Sequence, residues 1–170
     1  VSMSKIELVC WSKYVSMRDG VRLAVSIWCG KEAQGNGARR PAVMITTRYW
    51  RAMAFEVDKP EPQSFYSLAS FLWGRGYVLV TVDARGTGAS FGSRECEISS
   101  DEVADIGEMI DWIACQGWCD GRVATNGRSY TANTMLHSLS SGTSALKLGI
   151  GRAPDFDIYR HLLAPGGIIN

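Results

Sequence analysis

Histidine is almost missing from this chain: 170 positions hold two, His137 and His161. Any chemistry that needs an imidazole base has only those two to draw on. Net charge is nearly absent too, with 18 basic against 17 acidic side chains and a formal +1. No bulk electrostatic attraction therefore selects nucleic acid or an anionic membrane as partner. No uninterrupted apolar run approaches the roughly 20 residues of a membrane span, and the amino-terminal stretch lacks the long apolar segment of an export signal. The expectation is a cytoplasmic chain that binds neither nucleic acid nor membrane.

Paired cysteines are lacking as well. Cys10, Cys29, Cys96, Cys115 and Cys119 are odd in number and scattered, which argues against a disulfide framework. They are expected to be reduced, buried thiols. Cys115 and Cys119 are loosely spaced with no second pair following, so no zinc or other metal is expected. Internal repeats and low-complexity tracts are absent. What remains is an ordinary globular composition, 46% hydrophobic and 21% charged, long enough for one domain with a real core.

Apolar patterning sets out an alternation of strands and helices. Two extended stretches, around Ile6 to Met17 and Val21 to Trp28, flank Arg18-Asp19-Gly20, where Asp-Gly signals a hairpin turn. Gly30 to Arg40 reads as a glycine-rich surface loop, and Pro41 to Thr46 as an apolar strand covered on both faces. A helix is expected from Ser64 to a stop at Gly74, then a buried strand over Tyr77 to Val82. Ser99 and Glu102 stand at capping-box spacing ahead of Val103, Ile106, Ile110 and Ile113, which share one helical face. That helix is expected to end near Gly117. Lys147 to Gly151 completes the pattern as a short strand. The sum predicts an α/β layered domain with a mostly parallel sheet.

In such sheets, sites lie at the carboxyl ends of the strands. Three turns fall there: Arg48-Tyr49-Trp50, the loop Asp83 to Gly92, and the stretch around Ser129. The glycines of the second resemble a phosphate-binding loop. It has neither the dinucleotide fingerprint nor a Gly-Lys-Ser/Thr ending, so no nucleotide or other cofactor is expected. The third, Gly127-Arg128-Ser129-Tyr130-Thr131-Ala132, comes after the short apolar run Val123-Ala124 and opens a helix that runs through Met135, Leu136 and Leu139 until Gly142. A serine on such a turn has the setting of a nucleophile elbow, with Ala132 in place of its last glycine. The competing reading is an ordinary turn at Gly127 with Ser129 as a helix cap. For Tyr49 the competing reading is a buried aromatic beside Trp50.

Several segments, in order, resemble one known family. Met17 to Ala24, Arg48-Tyr49, Gly76-Tyr77-Val78 with Asp83 to Gly92, Trp118-Cys119-Asp120-Gly121, Gly127 to Tyr130 and Asp157-Ile158-Tyr159-Arg160 are similar to the amino-terminal part of the cocaine esterase and X-prolyl dipeptidyl aminopeptidase family. The resemblance implies an α/β-hydrolase-like domain with an amino-terminal β-hairpin, truncated before the cap and last strands. Residues 1–153 would be the first part of that domain and residues 154–170 the start of a helical cap. It also implies a serine hydrolase of ester or amide bonds. Ser129 would be the nucleophile, and the Tyr49 hydroxyl and Tyr130 backbone N–H would form the oxyanion hole. Asp155 and Asp157 match the cap entrance and are assigned no catalysis.

A serine needs an adjacent base. His137 lies eight residues after Ser129 on the same helix, about 12 Å along its axis, and His161 falls in the cap segment. The base and its acid are therefore expected from elsewhere: a second chain, or a part of the enzyme lost from this one. Alternatively the chain is a non-catalytic remnant with a binding or structural role. An open strand edge predicts pairing with a partner or self-association. Ester and X-prolyl substrates are not separable from these residues.

Overall fold

A computed structural model of the chain describes residues 7–31, 37–52 and 65–169. The hairpin expected from Asp19-Gly20 forms β1 (Leu8–Ser16) and β2 (Arg22–Gly30), antiparallel from Leu8 opposite Gly30 to Ser16 opposite Arg22. Gly20 takes φ +83° at the turn, a conformation open to glycine at little cost. Next in the chain come β3 (Arg40–Thr47), α1 (Tyr66–Trp73), β4 (Val78–Asp83), α2 (Ser100–Ala114), β5 (Cys119–Arg128), α3 (Tyr130–Ser138) and β6 (Leu146–Arg152). Residue 6 of the expected first strand, residues 32–36 of the expected surface loop, the helix start at residue 64 and residue 170 lie outside the described residues.

The sheet order is β1-β2-β4-β3-β5-β6. β2 pairs antiparallel with β4, whereas β4, β3, β5 and β6 run parallel. The fold is the expected mostly parallel α/β sheet carrying an antiparallel hairpin at one edge.

β3 and β4 read as unbroken apolar runs because both of their faces are covered. On one side Val78, Val80 and Val82, with Leu23, Val25, Ile27 and Met44, meet Ile106, Met109, Ile110 and Ile113 of α2. On the other, Leu79, Ile45 and Trp28 meet Ala69 of α1. Each buried Val, Leu, Ile or Met among them contributes about 1.5–3 kcal/mol of transfer free energy. α3 packs on β5 and β6. A Cβ at Gly149 or Gly151 of β6 would lie 2.6 or 2.2 Å from Met135, so glycine at alternate positions of this strand is what lets the helix down onto the sheet. α3 stops at Ser138 rather than running to Gly142.

The hairpin is tied to the helical layer by charge. Buried Arg85 donates to both oxygens of buried Asp105 (2.8 and 2.6 Å) and to Asp19 at the hairpin turn (2.6 Å). Arg18 adds a contact to Asp105 at 3.1 Å. The Arg85 guanidinium, together with the Val21 amide, lowers the Asp19 carboxyl from 3.8 to about 2. A carboxyl lowered on folding stabilises the native state above its unfolded pKa and loses that contribution as pH falls through the folded value. Melting temperature is therefore expected to fall between pH 4 and pH 2, and to fall less over that window in Asp19→Asn. An unchanged acid limb in the variant would show that this pair does not contribute.

Cys29 and Cys119 are buried, whereas Cys10, Cys96 and Cys115 are exposed. The expectation of five buried thiols is corrected for these three. Cys10 lies on edge strand β1 and Cys115 just past the end of α2, where apolar sequence neighbours do not guarantee burial.

Candidate active site

The β5-to-α3 turn compresses the chain around Ser129. Its backbone sits at φ 57°, ψ −128°, a region that costs a non-glycine residue about 1–3 kcal/mol and persists only when the surroundings enforce it. Here they do. Ser129 N–H donates to Arg152 O on β6 (3.0 Å), and Ser129 O accepts from the amides of Ala132 (2.8 Å) and Asn133 (3.0 Å). Only glycine fits at 127, since a Cβ there would lie 1.9 Å from Thr131 O. Ala132, which replaces the usual last glycine of the motif, is fully buried and faces the space left by Gly151.

The helix-cap reading of Ser129 does not hold. Its side chain makes no cap hydrogen bond, and the Ala132 amide that such a cap would take goes to the Ser129 carbonyl instead. The Ser129 side chain is exposed and its hydroxyl makes no hydrogen bond among the described residues, while the Tyr130 amide, at the first helical position, has no acceptor within its own helix.

Parallel pairing of β3 with β5 puts their carboxyl ends side by side, and this brings Tyr49 to the elbow. The Tyr49 and Tyr130 rings meet edge to face with centroids 5.9 Å apart. Tyr49 is 51% exposed and Trp50 56%, so the reading of Tyr49 as a buried aromatic is also set aside. Tyr130 is the buried one. Its hydroxyl donates to the carboxylate of buried Glu102 on α2, and Arg94 reaches the same phenol oxygen at 3.4 Å. Burial, then the negative charge of Glu102, push the Tyr130 phenol well above its usual range. Tyr130→Phe leaves Glu102 buried with one fewer donor, and is expected to lower unfolding free energy by about 1–3 kcal/mol in urea titrations. Wild-type stability in this variant would mean that the Glu102 contact contributes nothing.

The glycine loop after β4 is filled by its own chain. Asp83, buried at the end of the strand, accepts from the amides of Arg51 (2.7 Å) and Ala89 (2.9 Å). A Cβ at Gly88 would lie 2.4 Å from that carboxylate. The glycines thus admit an internal anion, and Asp83 fixes the segment that carries Tyr49.

Several residues of this region were not singled out as functional from the sequence: Arg48, Asp83, Arg94, Glu97 and Glu102. Glu102 was visible only as a capping-box partner. The box is half formed: Ser99 Oγ accepts from the Glu102 amide (3.3 Å), while the Glu102 carboxylate takes the Ile98 amide (2.9 Å) rather than that of Ser99. Its other oxygen serves Tyr130.

Among the described residues, no hydrogen bond joins either histidine to Ser129. His137 is in the last turn of α3, and His161 is exposed in a π-helical turn, Tyr159–Leu163. Asp155 is tied to Asn133 of α3 through two hydrogen bonds, 2.7 and 3.2 Å, and so anchors the segment after β6.

With this geometry in view, the chain matches the X-Pro dipeptidyl-peptidase (S15 family) over residues 19–170. It belongs to the S15 family. A candidate serine esterase of Mycobacterium bovis is 36% identical over 173 residues, covering 92% of this chain and 26% of the relative. A cocaine esterase of Rhodococcus is 34% identical over 157 residues, covering 92% of this chain and 25% of the relative. Among solved structures, a CocE/NonD family hydrolase from Staphylococcus aureus superposes with TM-score 0.71 at 25% identity, over 95% of this chain and 33% of that one. The chain thus spans about a quarter of the length of these curated S15 relatives. No helix among the described residues is long and apolar enough to cross a membrane.

Proposed function

We propose that this chain carries the nucleophile and oxyanion hole of a serine hydrolase acting on ester or amide bonds. The observation that carries the reading is Ser129, exposed at an enforced, strained turn with its hydroxyl bonded to none of the described residues. In this reading Ser129 Oγ attacks the substrate carbonyl. The Tyr49 hydroxyl and Tyr130 amide receive the oxyanion, each donor contributing about 3 kcal/mol to the transition state. Collapse of the tetrahedral intermediate expels the alcohol or amine, and water then releases the acyl group from Ser129. Tyr130 acts through its backbone, so Tyr130→Phe should keep its rate while losing stability.

The proton accepted from Ser129 goes to a histidine, oriented by a carboxylate, that lies outside these 170 residues, on the remainder of the polypeptide or on a partner chain. Residues 1–153 form the first part of the hydrolase domain in this reading, and residues 154–170 lead into a cap. Exposed Leu148 and Ile150 on edge strand β6 are then covered by later strands of the same polypeptide or by a partner.

An ester is the favoured substrate. The relatives above 30% identity are named as esterases, whereas an Xaa-Pro dipeptidyl-peptidase of Lactobacillus delbrueckii is 28% identical over 116 residues. The test is turnover by the full-length protein of a p-nitrophenyl acyl ester against an X-prolyl p-nitroanilide. Preference for the ester is expected. Preference for the anilide reverses the substrate reading, and turnover of neither supports the non-catalytic alternative, which the lack of a nearby histidine favours.

A further inference from the structure

Arg48 precedes Tyr49 and carries no role in the mechanism just proposed, yet its guanidinium is held by a hydrogen bond, an ion pair and two aromatic rings. Nη2 donates to the Tyr49 hydroxyl oxygen at 2.9 Å, while Nη1 pairs with Glu97. The guanidinium carbon stands 4.8 Å from the Tyr49 ring centroid and 4.7 Å from that of Tyr130. The cation therefore stands against both tyrosine rings at once, beside their edge-to-face contact, at the two residues that flank the oxyanion position. Its side chain is only 27% exposed.

We propose that Arg48 is a positioning residue for Tyr49, orienting and polarising the phenol so that its proton is aimed at the oxyanion. This rests on the reading of Tyr49 as an oxyanion donor. A guanidinium has donors and no acceptor, so in this contact the Tyr49 oxygen accepts. Its own proton must then point away from Arg48. Accepting a hydrogen bond from a full positive charge draws density out of the O–H and makes it a stronger donor. That gain matters most when negative charge develops on the substrate oxygen, so it belongs to the transition state and should appear in kcat.

The neighbouring segment holds both donors. Glu97 anchors Arg48 and through it Tyr49, while Arg94 and Glu102 anchor Tyr130. Lysine in place of Arg48 cannot reproduce this arrangement, because a point charge lacks the planar fork that reaches Tyr49 and Glu97 together.

The experiment is a double-mutant cycle in the full-length enzyme with an ester substrate, using Arg48→Gln and Arg48→Lys in the wild-type and Tyr49→Phe backgrounds. With Tyr49 present, Arg48→Gln is expected to lower kcat about tenfold with KM within about twofold, and Arg48→Lys to restore part of the loss. With Tyr49→Phe, Arg48→Gln should change kcat by less than about twofold, since the group it acts through is gone. Equal losses in both backgrounds, an effect confined to KM, or no loss at all would each overturn the proposal. A kcat loss that tracks a lower melting temperature in both backgrounds does so too, by assigning Arg48 a purely structural role. Should Arg48→Gln fail to fold, the Arg48→Lys arm decides by the same comparison. Failure of the underlying reading has a separate signature: Tyr49→Phe alone would keep the wild-type kcat, removing Tyr49 from the reaction and the proposal with it.

Discussion

Ser129→Ala is expected to lower ester hydrolysis by the full-length protein roughly 10,000-fold or more, because loss of the nucleophile leaves only oxyanion stabilisation and binding. KM, where it can still be measured, should move little. Stability should barely change, since the hydroxyl caps nothing and alanine keeps the Cβ that makes φ 57° unfavourable. Ser129→Gly removes that Cβ. It should be equally inactive but more stable than Ser129→Ala by about 1 kcal/mol, strain relief of about 1–3 kcal/mol being partly offset by the greater backbone entropy of glycine. Denaturant titration of the two variants reads this difference directly. If Ser129→Ala retained turnover within tenfold of wild type, another nucleophile would be at work.

Tyr49→Phe is expected to reduce kcat by a factor of about 100 to 1,000 with a much smaller change in KM, the signature of a donor engaged mainly in the transition state. The phenyl ring keeps its edge contact with Tyr130 and its place under Arg48. A residue 51% exposed has little buried area to lose, so the melting temperature should stay near wild type. A fall in melting temperature with kcat intact would return Tyr49 to a packing role.

Legibility in the sequence tracks physical periodicity. The hairpin was marked by Asp19-Gly20, the central strands by their unbroken apolar runs, and the start of α2 by Ser99 with Ile106, Ile110 and Ile113; these lie within a residue or two of where they were expected, whereas α2 ends at Ala114, three residues short of Gly117. These signals are local. Ser129 and Tyr49 were legible from motif and resemblance, but their surroundings were not. The pairing of Arg48 with Glu97 and of Glu102 with Tyr130 joins residues from different elements, and no spacing rule tells which charged residue will meet which after folding. Asp83 was hidden for another reason. Its glycines suit any anion, and only the fold shows that the anion is its own carboxylate. Cys10 and Cys115 are exposed despite apolar neighbours along the chain, because hydrophobic context in sequence is not burial in space, and Cys96 is exposed in a charged stretch. α3 ends early at Ser138, whose hydroxyl bonds back to Met135 O at 2.6 Å and pairs with Thr125 at 2.8 Å, a tertiary contact that the apolar pattern could not convey.

The most direct measurement is labelling of the full-length protein with a fluorophosphonate, then peptide mapping of the modified residue. A covalent adduct forms only on a serine activated by a neighbouring base, so the label reports the nucleophile and its missing partner at once. A single adduct is expected on the peptide containing Ser129, lost in Ser129→Ala. An adduct on another residue, or equal labelling after that substitution, would contradict the assignment of the elbow.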